Sequence, residues 1–473
     1  MLRLRAIGLL LVAAPVFAQA DRDRYDLGRR AHAFEVAWDA KADDPAAHKR
    51  AAPHIDKAVK HFLGFNLAAG AAELDAARHA LESADPVPPA VRWADSLQIL
   101  PESHVVDGAG ADVVVIVKPY YKTGVEDPKG ATLRARLGTG KPVEAPLDSL
   151  PATIRVPVKD VPGPPSADFK LTAEVVADGK VLCTRVVGVS RVEKLKDRLA
   201  AVQRAAADLP SPPKTIEQAT FALLAKTLGQ LANKQTPETD LPISRFLAGA
   251  ERLATVTEPY YIPKRAGEFW LSIPTGKNAT VVRIRVPPKL DERKGPVPVV
   301  IALHGMGGSE NAYFDGYGNG IVPRLASERG WIVIGPRVEG ALGTGPAPPV
   351  PALLDELAKR YPIDPKRVYL IGHSMGAERA MQLVQEHPER YAAVAALGGG
   401  GRVNNSEALT RVRFFIGCGK LDGAIDDARQ LAKSLNAAKC PVTLKEYDDI
   451  EHLTIVREAA ADVFNFFDHA VRK

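Results

Sequence analysis

The stretch Val368-Tyr369-Leu370-Ile371-Gly372-His373-Ser374-Met375-Gly376 sets a serine between a short apolar run and a segment with helical periodicity at 377–387. Residues 368–371 read as a buried strand, because four consecutive apolar side chains bounded by glycine suit a strand better than a helix. A serine on so tight a strand-to-helix turn is forced into strained backbone geometry, and the two flanking glycines remove side chains that would collide. The helix that begins there favours negative charge developing at its N-terminus. As a bare pattern Gly-x-Ser-x-Gly is only moderately specific, and a structural turn is its bland reading. Between a strand and a helix, with partners in order downstream, it points to a nucleophile.

Working outward, strands are expected at 281–286, 297–303, 331–335, 392–397, 414–417 and 442–447, with helices at 350–360, 377–387 and 424–436. Strands alternating with helices of this length predict an α/β domain: a mostly parallel sheet covered by helices on both faces. Functional residues should then gather at the C-terminal ends of the strands. His304-Gly305-Met306-Gly307-Gly308 directly follows the 297–303 strand. A glycine-rich loop there can supply one backbone N–H to an oxyanion, and the residue after the nucleophile supplies another, which assigns the donors to Met306 and Met375.

A general base working near neutrality is a histidine. His452 follows the last strand within Asp448-Asp449-Ile450-Glu451-His452. His469 is its rival but falls in the C-terminal helix, and His373 and His304 adjoin the motifs without being expected to turn back on the serine. The acid should lie between serine and histidine in chain order, and Asp422, after Gly417-Cys418-Gly419-Lys420-Leu421, fits. Asp426 and Asp427 are alternatives on the first turn of the next helix, where capping is their ordinary work.

Taken together, 304–308, 372–376, 419–422 and His452 resemble the motifs of α/β-hydrolase esterases. The likeness is strongest to the secreted polyhydroxybutyrate-depolymerase and feruloyl-esterase-like group and to dienelactone-hydrolase relatives. It covers roughly 262–473 and implies the α/β-hydrolase fold, a Ser374–Asp422–His452 triad and carboxylic-ester hydrolysis with no metal or organic cofactor. Prolyl-oligopeptidase-like peptidases share the elbow but carry a propeller, and no blade-like repeat is visible. A serine peptidase and a non-catalytic polysaccharide-binding protein on the same scaffold are the alternative readings. The acidic run 448–451 beside the base departs from the pattern and is expected to raise its pKa. Tyr313, Phe314 and Tyr317 in the 311–320 loop suit an aryl or hydrophobic acyl group, or else pack the loop. The Gly- and Pro-rich loop 339–351 is the other candidate for substrate choice.

The remaining sequence divides by texture. Arg3 and Arg5, the apolar 6–12 and Ala18-Gln19-Ala20 read as a cleaved export signal over 1–20, placing the protein in the periplasm or outside the cell. Residues 21–100 are Ala-rich with helical spacing; His32, His48, His54, His61 and His79 are scattered there without metal-ligand spacing and are expected on solvated helix faces. From 101 to 192 the texture is β, with runs at 112–118, 153–158, 169–176 and 181–189. Asp178-Gly179 between the last two is a hairpin signal. A small antiparallel, immunoglobulin-like sandwich is expected, followed by helical segments over 193–258 and the α/β domain over 259–473. At 473 residues the chain exceeds one ordinary core. Its formal charge of +6, or +4 without Arg3 and Arg5, has no basic block, which argues against nucleic acid. No stretch after the signal is long and apolar enough to span a bilayer. Cys183, Cys418 and Cys440 are expected to form no disulfide, since 418 and 440 fall at opposite ends of neighbouring parallel strands.

Overall fold

The computed structural model describes residues 5–108, 110–340, 343–403 and 407–472, with side chains from residue 19 onward. Residues 1–4, and the side chains up to residue 18 with those of the 6–12 run among them, lie outside the described residues. Two compact units emerge, and neither is continuous in sequence. The first comprises Met1–Phe34, Lys60–Leu209 and Leu224–Thr255; the second comprises Glu35–Val59, Pro210–Leu223 and Val256–Lys473. Helices α1 (Arg5–Ala40) and α2 (Pro45–Leu63) therefore contribute residues to both.

In the first unit, α3 (Leu67–Glu82) and α4 (Pro89–Asp95) precede eight strands: β1 (Leu97–Pro101), β2 (Val105–Asp107), β3 (Asp112–Pro119), β4 (Thr132–Leu137), β5 (Val143–Pro146), β6 (Ala152–Pro157), β7 (Ala167–Ala177) and β8 (Lys180–Val192). They form a three-stranded sheet, β1-β3-β6, and a five-stranded sheet, β2-β8-β7-β4-β5. Inward residues of both, such as Val113, Val115 and Val117 against Leu133, Leu171 and Val187, share one core. The expected sandwich is there, and β3, β6, β7 and β8 match the β-runs in the sequence. At the hairpin tip Asp178 and Gly179 have φ of 49° and 72°, the paired positive values such a turn needs. The sheet is not purely antiparallel, because β2 runs parallel to β8. Four strands escaped the reading: β1, β2, β4 and β5. Of these β4 is legible in hindsight, since Leu133, Ala135 and Leu137 alternate inward.

Three helices follow, α5 (Leu195–Ala207), α6 (Ile216–Ala232) and α7 (Ile243–Leu253), of which α6 is shared between the units.

The second unit carries β9 (Gly267–Thr275), β10 (Asn278–Val286), β11 (Val297–Leu303), α8 (Ile321–Arg329), β12 (Ile332–Pro336), α9 (Val350–Ala358), β13 (Ile363–His373), α10 (Met375–Glu386), β14 (Ala393–Leu397), β15 (Arg413–Gly419), α11 (Ile425–Ala437), β16 (Val442–Tyr447) and α12 (Ile455–Asp468). Eight strands make one sheet in the order β16-β15-β14-β13-β11-β12-β10-β9. The six from β11 to β16 run parallel, and the β9–β10 hairpin closes one side antiparallel. Every residue of β11, β12 and β14 is buried, which requires cover on both faces.

The contiguous regions drawn from texture need correction. Residues 35–59 do not belong to a separate N-terminal helical region; they pack within the α/β unit. Trp38 is fully buried there, stacks on His48 at 3.8 Å between ring centroids, and donates from Nε1 to Glu458 Oε1 at 2.9 Å. Arg457 reaches Asp39 at 2.7 Å. His48 is thus a packing residue, and His79, bonded to Asp95, is half-buried in the first unit; neither lies on a solvated face. Among the described residues no group of three or more metal-type side chains converges. Cys183, Cys418 and Cys440 are buried free thiols.

Candidate active site

Register between strands brings the motifs to one edge of the sheet. Leu303 pairs with Gly372, His373 with Leu397, and Gly419 with Tyr447, so the loops after β11, β13, β15 and β16 open on the same side. Ser374 has φ 55° and ψ −122°, a conformation an L-residue adopts only when its surroundings compel it. What compels it is close contact. A Cβ on Gly376 would sit 1.9 Å from the Leu303 carbonyl oxygen, and one on Gly372 would sit 2.1 Å from the Gly376 carbonyl oxygen. The Ser374 N–H donates to Leu397 O at 2.9 Å, tying the elbow to β14. Met375 is the first residue of α10, where backbone N–H groups have no partner inside the helix.

The loop after β11 is held from two sides. His304 is fully buried; its Nδ1 faces Gly305 O at 2.8 Å, and its Nε2 accepts the Val338 N–H at 3.0 Å. Burial keeps this imidazole neutral by lowering its pKa. The Gly305 N–H is engaged by the Tyr317 hydroxyl at 3.1 Å, which leaves the next amide, Met306, as the loop's candidate oxyanion donor.

Asp422 and His452 meet as a pair. His452 Nδ1 lies 2.9 Å from Asp422 Oδ2 and 3.1 Å from Oδ1, and Asp422 also accepts the Ala424 N–H at 2.9 Å. The two loops that carry them are zipped together: Lys420 N–H donates to Tyr447 O at 2.8 Å and Leu421 N–H to Ile450 O at 3.0 Å. Burial alone would raise the Asp422 pKa, but the imidazole and the Ala424 amide hold it below the usual carboxylate value. Burial would lower that of His452, and the Asp422 carboxylate, with Glu451, raises it above the ordinary imidazole value. Within the acidic run Glu451 contributes to that rise, while Asp448 points to Lys420 at 2.7 Å. Glu451 has a second task the sequence did not suggest. It accepts Leu453 N–H, Thr454 N–H and the Thr454 hydroxyl at 2.7, 3.0 and 2.7 Å, fixing the turn that leads into α12. Asp426 and Asp427 occupy the first turn of α11 as expected, where their charge suits the helix dipole, but neither caps it: no side chain bonds at the Ala424 N-cap, and Asp426 pairs with Arg429 at 3.2 Å.

The aromatic loop turns inward, correcting the substrate-binding reading of Tyr313, Phe314 and Tyr317. Their exposures are 1%, 7% and 9%. Tyr313 packs edge-on against Tyr317, and Phe314 lies under the Arg283 guanidinium, 4.7 Å from its ring centroid. Arg283 is itself clamped between Glu268 and Asp315, so the loop is anchored from below by a buried cation and its rings follow it. Near the rim it is Met306 and Leu421 that expose apolar surface, 36% and 48%. The 339–351 loop is described except for 341–342.

A family defined as the alpha/beta hydrolase fold matches residues 298–417, from β11 into β15. With the strand order and the elbow already seen, the second unit has the α/β-hydrolase fold. Among curated proteins, the chain is 30% identical over 161 residues to a bifunctional acetylxylan esterase/xylanase of Neocallimastix patriciarum, covering 33% of this chain and 22% of that one. It is 32% identical over 114 residues to a protein of Nocardia uniformis subsp. tsuyamanensis named as an esterase, covering 22% and 33% respectively. The chain thus spans between a fifth and a third of the relatives it matches. A solved thermostable esterase aligns with 78% of this chain and 100% of its own at 15% identity and a TM-score of 0.39, which adds nothing to the topology above. No helix among the described residues is long and apolar enough to cross a membrane.

Proposed function

We propose that the protein is an exported serine hydrolase that cleaves carboxylic esters through an acyl-enzyme on Ser374. The observation that carries this reading is the Asp422–His452 pair, joined at 2.9 Å on the rim where the strained Ser374 elbow opens. In this reading His452 takes the serine proton as Ser374 attacks the ester carbonyl, and Asp422 fixes the imidazole tautomer and stabilises the imidazolium. The Met306 and Met375 amides hold the tetrahedral oxyanion, which is worth several kcal/mol when both are aimed correctly, on the order of 3 kcal/mol each. The alcohol leaves with the proton from His452, and water activated by the same imidazole releases the acid. No step needs a metal or an organic cofactor.

The similarity to two proteins named as esterases, over 161 and 114 residues, supports an ester over an amide. Apolar exposure at Met306 and Leu421 suits an acyl or alkoxy group with hydrocarbon character. Ser374→Ala is expected to abolish hydrolysis of p-nitrophenyl acetate while leaving the melting temperature unchanged; residual wild-type turnover would remove the serine from the mechanism. A panel of short acyl, acetylated-sugar, feruloyl and polyhydroxybutyrate esters then ranks substrates, and amide cleavage in the same panel would favour a peptidase. Export is tested by sequencing the N-terminus of the mature protein, which should begin at or next to residue 21.

A further inference from the structure

One buried side chain joins three of the loops that meet at the rim. His373, next to Ser374, is 4% exposed. Its Nε2 lies 2.8 Å from the backbone carbonyl of His452, and its Nδ1 lies 3.0 Å from the Tyr317 hydroxyl. A carbonyl can only accept, so Nε2 must carry the hydrogen. Burial, reinforced by the neighbouring His452, pushes the His373 pKa down to about 3, so the ring is neutral and Nδ1 is bare. Nδ1 then accepts from the Tyr317 O–H, while the Tyr317 oxygen accepts the Gly305 N–H at 3.1 Å. Every hydrogen in the chain has one direction, and nothing in it can titrate at neutral pH.

Its anchor points have a pattern. Gly305 precedes the Met306 amide, His373 precedes Ser374, and the last acceptor is the backbone of His452 itself. We infer that Tyr317 and His373 are positioning residues, whose hydrogen-bond chain sets the spacing between oxyanion donor, nucleophile and base. The inference rests on the triad reading above. Neither residue touches the reacting atoms, so each acts through the neighbour it holds. Such spacing matters because displacement of a reacting group by about 1 Å can cost on the order of 100-fold in rate.

A packing role alone would lower the melting temperature and leave turnover by the folded protein intact, so kcat in the full-length chain is the readout. Tyr317→Phe keeps the ring and deletes both hydrogen bonds. Well below its melting temperature it is expected to lose about 10- to 100-fold in kcat on p-nitrophenyl acetate, with KM within about twofold and slower fluorophosphonate labelling of the serine. At position 373 a pair of amides separates the two links. His373→Gln can still present an N–H to the His452 carbonyl, whereas His373→Asn can face Tyr317 but not reach that carbonyl. The glutamine variant should therefore retain more kcat than the asparagine variant. Wild-type kcat in Tyr317→Phe, or an asparagine variant equal to or better than the glutamine one, would overturn the inference. If either His373 variant fails to fold, Tyr317→Phe decides alone. Ser374→Ala separates the two ideas: if it remains active the triad falls, and if it is dead while Tyr317→Phe is unimpaired only the positioning chain falls.

Discussion

At Asp422 two tendencies oppose each other. Burial favours the neutral acid, while the His452 ring and the Ala424 amide favour the carboxylate, and the carboxylate prevails. Its charge in turn lifts the His452 pKa above the ordinary imidazole value of about 6.5. Since only the neutral imidazole can accept the serine proton, kcat/KM should rise with pH through a midpoint above that value. Asp422→Asn removes the charge and can offer an N–H where the imidazole needs an acceptor. Turnover is expected to drop by roughly 10³- to 10⁴-fold, with the residual acid limb displaced to lower pH. A pH–rate profile for wild type and variant checks both; an unshifted limb would detach Asp422 from the base.

Between elements, the first unit depends on a cluster of buried charge. Arg30 on α1 is enclosed by Asp26, at 2.8 Å, and by Asp75, and donates to the carbonyls of Asp95 and Leu97 at 2.7 and 2.9 Å. Arg185 on β8 reaches Asp95 at 3.2 Å, and His79 on α3 is bonded to the same carboxylate at 2.5 Å. Isolated charges would be expelled from such a place, so the cluster specifies which helix meets which strand. Burial would lower the His79 pKa, but hydrogen bonds to Asp95 and Glu82 raise it to about 9. A folded value raised above the unfolded one means the stabilisation is complete below about pH 6.5 and fades as pH climbs through about 9. Allowing for solvent screening at this partly exposed site, about 1–2 kcal/mol is at stake. The melting-temperature gap between wild type and His79→Gln should therefore be widest near pH 6 and close by pH 10; a gap independent of pH would refute the assignment.

Across the whole molecule, the α/β unit recruits segments far from its own run of chain. Trp38 and Asp39 bind Glu458 and Arg457 of α12, while Glu217 accepts from Tyr260 N–H at 2.9 Å and Arg360 at 3.1 Å. Thr220 Oγ1 receives the Ser272 N–H of β9 at 3.0 Å. A fragment of residues 259–473 would strip these partners away and expose the surface that Trp38 covers, about 150–250 Å² for such a ring. It is expected to aggregate, or to melt well below the full chain and label poorly with fluorophosphonate. A fragment as stable and as reactive as the whole protein would show that residues 35–59 and 210–223 are dispensable.

The amino-acid sequence alone determined what backbone geometry dictates over a few residues. The glycines around Ser374, the Asp178-Gly179 hairpin and the alternation of strands with helices are each enforced by local sterics and periodicity, so all three were legible. That Asp422 and His452, each after one of two neighbouring strands, would lie at one edge of the sheet was legible too, because strand ends in a parallel sheet share an edge. Only the tertiary structure decided which way a side chain on a loop would turn. Tyr317 and His373 are 56 positions apart, and nothing near either announces the other. It likewise decided that residues 35–59 belong with the α/β unit. Their helical spacing says that one face is apolar, and the partner of that face is a matter of contacts between distant parts of the chain.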